Sequence, residues 1–126
     1  MVAMNFTLPS ARFLIPSDIK RTTIRRYNPR KIDQIERMGR LQLYWMQRTP
    51  ECELLGERDL KRVTVVEEPI LQFIMRQPPE FVYGEGFGFD REEMLLFFID
   101  RYTLGQIQGG GQFYVTEWWP AQREVT

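Results

Sequence analysis

Six consecutive apolar side chains, Met94 to Ile99, stand between a polar start at Asp90 and a glycine at Gly105. Asp90 followed three places later by Glu93 is a helix-start signature that sets carboxylates at the positive end of the helix dipole. Gly105 stands where a helix commonly ends in a left-handed residue. At about 100° per residue, six apolar neighbours cover every face for more than a turn, so the pattern predicts a helix buried all round.

The chain ahead of this helix is divided by the same kind of signal. Residues 1–16 alternate apolar and polar positions in places, but Pro9 and Pro16 interrupt them, which predicts an extended arm with one or two short strand pieces. Thr22, Thr23 and Ile24 favour an extended segment. Asn28-Pro29 then supplies a cap and a first-turn proline for a helix predicted to run to about Arg48, where Thr49-Pro50 stops it. On that helix Ile32, Ile35, Gly39, Leu43 and Met46 form one apolar stripe, and Met38, Leu41 and Trp45 form a second. One stripe suffices for a core, so the second implies a sandwiched helix or a partner.

Residues 52–56 and 61–67 read as two strands joined by a polar turn at Gly56-Glu57-Arg58-Asp59. Glu67-Glu68-Pro69 opens a short helix to Arg76, ended by Pro78-Pro79. Phe81 to Phe89 is a loop of glycines and aromatics, and Gln112 to Trp119 alternates as a terminal strand. The order predicts a single α+β domain. About three helices should pack on a short, mostly antiparallel sheet, with the extended arm at 1–16 and a compact body at 17–126.

Charge adds a polarity to this picture. Residues 1–48 carry ten Lys/Arg against three Asp/Glu, a balance of +7, and residues 49–126 carry seven against fourteen, a balance of −7. Either the two halves neutralise each other within the fold, or each end meets a charged partner. Six basic residues fall within twelve positions, Lys20, Arg21, Arg25, Arg26, Arg30 and Lys31, with no acid among them. With Thr22, Thr23 and Tyr27 interleaved, this is the side-chain set of a phosphate-backbone contact, which makes these six the candidate nucleic-acid-binding residues.

The inventory is poor in catalytic groups. Histidine is absent and Cys52 is the single cysteine, which excludes an internal disulfide, a thiolate zinc cluster, and Ser-His-Asp or Cys-His catalysis. Gly84-Glu85-Gly86-Phe87-Gly88 leads into a helix but lacks both the dinucleotide and P-loop spacings, and its acids would repel phosphate. Glu51, Asp59 and Lys61 have the bare shape of a metal-dependent nuclease motif. Glu92 and Glu93 are accounted for as helix-start residues and Asp100 as surface charge. No cofactor or metal is expected. No run reaches the length of a membrane span, and the first residues lack a secretory pattern, so an intracellular, cytoplasmic protein is the expectation, with a virion or an organelle as other settings.

Aromatic residues exceed what one small core needs. Trp45, Phe87, Phe89, Tyr114, Trp118 and Trp119 are the candidate interface residues, because large rings anchor protein contacts. Trp118 and Trp119 are adjacent on the terminal strand and must point to opposite faces. The combined expectation is a non-catalytic structural or adaptor subunit of a larger assembly, such as a phage or viral particle or a multisubunit complex. Protein partners or self-association would then be central. A nucleic-acid-binding module using residues 20–31 is the first alternative, and a metal-dependent nuclease the second.

Overall fold

A computed structural model describes residues 1–121. Five strands form one sheet in the order β1-β3-β4-β5-β2. They are β1 (Val2–Phe6), β2 (Thr22–Arg26), β3 (Arg40–Trp45), β4 (Glu53–Val66) and β5 (Phe113–Trp118). Strand β1 runs parallel to β3, and all other neighbours are antiparallel. Among the described residues six helices complete the fold: α1 (Ala11–Leu14), α2 (Pro29–Met38), α3 (Ile70–Arg76), α4 (Pro79–Val82), α5 (Arg91–Arg101) and α6 (Leu104–Gln108). The domain is therefore α+β with a mostly antiparallel sheet, as the hydrophobic pattern predicts.

Five local features differ from the sequence expectation, one of them the expected loop over residues 81–89, which instead continues from the end of α4 into a π-type turn at Tyr83–Phe87. The expected arm over 1–16 instead supplies β1 and α1. Val2, Met4 and Phe6 alternate toward one face and are all buried, so the strand is stabilised as a sheet edge despite the prolines that follow. The expected helix to Arg48 stops at Gly39, which takes a left-handed φ of 66°, and the chain turns directly into β3. Leu41, Leu43 and Trp45 are then the buried face of a strand, so Leu43 of the first expected stripe and Leu41 and Trp45 of the second belong to the sheet, while Met38 ends α2 exposed.

The polar turn expected at residues 56–59 lies inside the continuous strand β4. The first half of β4 pairs with β3 and its second half with β5. Helix α5 begins at the Asp90 cap, whose side chain accepts from Glu93 N at 3.1 Å, but it ends before Gly105. It is not buried all round: Met94 and Phe98 are enclosed, whereas Leu96 and Ile99 are about half exposed.

Two apolar clusters flank the sheet. One gathers β1, α1, Ile35 of α2, β3, Tyr114 and Trp118. The other gathers α3, α5 and α6 against Val66, Phe113 and Val115. Strand β5 is thus covered on both faces, with alternate side chains entering opposite clusters. Bases of the first half meet acids of the second within the fold, through Arg12–Glu53, Lys20–Glu85 and the Arg40 pairs with Glu57 and Asp59, and Asp18–Arg58 joins the halves with the signs reversed. No helix among the described residues is long and apolar enough to cross a membrane.

The two sheet edges, β1 and β2, come together without forming a ladder. Phe6 O accepts from Met46 N, next after β3, so Met4 and Phe6 turn their peptides to that neighbour while Ala3 and Asn5 face outward. Those outward carbonyls accept from side chains across the seam: Arg25 Nη2 donates to Asn5 O at 2.6 Å, and Lys31 Nζ donates to Ala3 O at 3.2 Å. The two edges are thus bridged by cations, which also blunts strand edges that could pair with other chains.

Candidate ligand-binding site

At this seam the fold leaves a cavity of about 320 Å³. Its walls come from the end of β1 and the start of α1, from Thr23 to Arg26 of β2, from Lys20, Glu85 and Phe87, and from Phe97, Phe98, Arg101 and Tyr102 at the end of α5. Segments distant in sequence are brought together here because both sheet edges and the last turns of α5 border the same gap.

The centre of the polar wall is Glu85. It lies in a π-type turn, Tyr83–Phe87, in which Gly86 takes a φ of 102°. Two close approaches fix this turn. A Cβ on Gly86 would run into Ser10 Oγ, and one on Gly84 would come within 3.2 Å of Ile19 O. Glycine at these positions lets the turn press against the α1 segment and carry the Glu85 side chain inward. There Oε2 accepts from Lys20 Nζ at 3.0 Å and Oε1 accepts from Thr22 Oγ1 at 2.6 Å. Lys20 and Glu85 are both buried.

A carboxylate so held is a fixed acceptor. The ammonium spends one of its three donors on it. A hydroxyl resting on a carboxylate is also the local geometry by which a base activates an oxygen nucleophile.

Aromatic faces line the rest of the cavity. Phe6 has Lys20 Nζ at 5.8 Å and the Arg25 guanidinium at 5.1 Å from its ring centre. Phe87 and Phe97 lie 5.2 Å apart, and the Arg101 guanidinium sits 5.4 Å from the Phe97 ring. Burial lowers the Arg25 guanidinium below its ordinary pKa; Tyr114, Glu85 and Tyr102 oppose that shift, and Arg101 adds to it. Arg25 Nε is fully enclosed and has no hydrogen-bond partner among the described residues.

The six candidate nucleic-acid residues do not form one surface stripe. Lys20, Arg25 and Arg26 line the cavity. Arg21 donates from Nε to Asp18 O at 2.8 Å, Lys31 is committed to Ala3 O, and Arg30 is exposed on α2. Burial, and then the charge of Arg25, lower the Lys31 pKa. The six candidate interface residues also divide. Trp45, Tyr114 and Trp118 are core residues rather than surface anchors, and Phe87 is a cavity wall. Phe89 stacks on Tyr83 at 4.9 Å with its other face exposed, and Trp119 is half exposed beneath Lys61 Nζ at 4.7 Å.

The Glu51, Asp59 and Lys61 set is not assembled as a metal centre. Asp59 accepts from Arg40 Nη1 at 2.7 Å, and no group of three potential ligands able to hold a metal ion occurs among the described residues. Sequence reasoning missed Glu85, Arg101 and Phe97. The one available signal was a lone acid between glycines in an aromatic run. No protein-family model matches this chain, and no match is found among curated proteins or solved structures.

Proposed function

We propose that this protein binds single-stranded nucleic acid and takes one unpaired base into the cavity between β1, β2 and α5. The observation that carries the reading is the composition of that cavity, in which Phe6, Phe87 and Phe97 alternate with Lys20, Arg25, Arg26 and Arg101. Unpaired bases are held by stacking on aromatic rings and guanidinium planes, and their phosphates by cations. The volume is at the small end of ligand pockets, which suits one base and not a duplex.

The open edge of β2 supports the same reading. Arg21 O accepts from Trp118 N, and Tyr27 N donates to Gln112 O, so odd-numbered peptides of this segment face β5. By antiparallel alternation the N–H and C=O of Ile24 face the seam, where they offer one donor and one acceptor side by side to a base edge. Anisotropy of labelled single-stranded RNA and DNA at low salt tests the proposal. Binding should weaken steeply with salt and be stronger than for the matching duplex. No binding to either single strand at low salt would end it.

Association with other protein chains, as a structural or adaptor subunit, is a second reading favoured by a separate observation. A shallow groove between α3 and α5 is lined by Leu71, Met75, Leu95 and Ile99, and Leu96 on the same helix is half exposed. Apolar patches of this kind mark interaction surfaces when contiguous. This reading concerns the opposite side of α5 from the cavity residues and does not compete with them.

A further inference from the structure

The charges around the cavity do not balance. Glu85 is the one carboxylate among the described residues lining it, and both of its oxygens are already engaged by Lys20 and Thr22. Arg25, Arg26 and Arg101 line the same cavity, and no carboxylate pairs with any of them among the described residues. Arg25 is anchored by Asn5 O and the Phe6 ring, yet its enclosed Nε lacks a partner among the described residues. Arg101 stands on the last turn of α5, where the helix dipole alone would favour a cation. That explanation does not reach Arg25 and Arg26, which stand on a strand. The charge of Arg101 works against that of the enclosed Arg25 across this gap, and Arg26 borders the same cavity from the next position on β2, so an anion held there would meet all three cations.

The anion can be specified by charge and shape. A phosphate monoester carries nearly two negative charges at neutral pH and three terminal oxygens, and the guanidinium fork binds such oxygens in pairs. An internal phosphodiester carries one charge, and its strand must leave the site in two directions.

We propose that Arg25, Arg26 and Arg101 form a subsite for a phosphate monoester, so that the unit held in the cavity is the phosphorylated end of a nucleic-acid strand. The inference rests on the nucleic-acid reading above and adds which part of the strand is recognised.

One oligonucleotide, prepared with a 5′-phosphate, with a 3′-phosphate and with hydroxyls at both ends, tests it by direct titration. One phosphorylated form should bind about tenfold or more tightly than the hydroxyl form, the scale expected for hydrogen bonds to a charged group. Arg26→Gln with Arg101→Gln should remove that preference. Both side chains are exposed, so the melting temperature of the double variant serves as the control for folding. Equal binding of all three forms would overturn the phosphate subsite and leave the base-binding reading intact. Retention of the preference in the double variant would overturn the assignment of these arginines, and absence of binding by any form at low salt would overturn both readings. Inorganic phosphate and a free mononucleotide, added as competitors, separate a strand end from a small phosphate ester. Displacement of the phosphorylated strand by the mononucleotide at equal concentration would overturn the strand-end assignment.

Discussion

Lys20 Nζ lies 3.0 Å from Glu85 Oε2, and the two residues are 65 positions apart and both buried. The pair pins the glycine-rich turn before α5 to the segment that enters β2, and so sets the position of one wall of the cavity. Removing one member of a buried pair leaves the other as an uncompensated charge, at a cost of about 3–5 kcal/mol. Glu85→Ala should therefore lower the urea midpoint sharply. Lys20→Met combined with Glu85→Leu should restore much of the loss, because two apolar groups leave no orphaned charge. A double variant as unstable as Glu85→Ala alone would show that the pair is not what holds the turn.

The extent to which this site was legible in the sequence follows from the physics of its parts. The Asp90 cap, the proline boundaries, the β5 alternation and the α+β class are local properties, and local periodicity carries them. Trp118 and Trp119 could be assigned to opposite faces for the same reason, and one is buried while the other is half exposed. Glu85 and Lys20 could not be paired, because nothing local relates residues 65 apart. The apolar pattern does not separate helix α2 from strand β3, because Leu43 fits one helical stripe and Leu41 and Trp45 another as readily as all three fit an alternating strand. Only the left-handed backbone at Gly39 separates the two. The basic stretch at 20–31 was legible as charge, but which of its members line a cavity depends on the meeting of β1 and β2.

Arg58 gives a second test, independent of the cavity. Although charged, it is buried within β4, donating from Nε to Asp18 Oδ1 at 3.1 Å, from Nη2 to Ile15 O at 3.1 Å and from Nη1 to Glu57 O at 2.9 Å. A Cβ at Gly56 would collide with its Nη1, so the guanidinium occupies the space that glycine leaves. Gly56→Ala should destabilise by about 2–4 kcal/mol, through overpacking and the displaced buried charge. Arg58→Met should cost a comparable amount. The two changes together should cost much less than their sum, since both act on one contact. Additive losses in denaturant titrations would separate Gly56 from Arg58.

Tyr114 should make stability depend on alkaline pH. Burial raises the pKa of its phenol above the ordinary value, with the charge of Arg25 acting in the opposite direction. The folded state thus favours the neutral phenol. Its stabilisation is complete below the unfolded pKa of about 10 and is lost as pH rises through the raised folded value. Thermal midpoints measured from about pH 9 to pH 11 should fall more steeply for the native chain than for Tyr114→Phe. Parallel curves would remove the phenol from the account.

The outer face of α5 carries the remaining prediction. Leu96 and Ile99 are about half exposed on this helix, and Met75 of α3 is more exposed still, beside the groove that ends at Glu68 and Arg76. A helix that is apolar on the side away from its own core has a surface better suited to another chain than to water. At high protein concentration the native mass should therefore exceed the 15.1 kDa of one chain, unless a different protein covers this face. Leu96→Lys with Ile99→Lys should shift the population to the monomer while changing the folding free energy by no more than about 0.5 kcal/mol per site, as is usual for exposed positions. Sedimentation velocity reads the mass and denaturant titration reads the stability. A native chain that stays monomeric at every concentration would exclude self-association through α5.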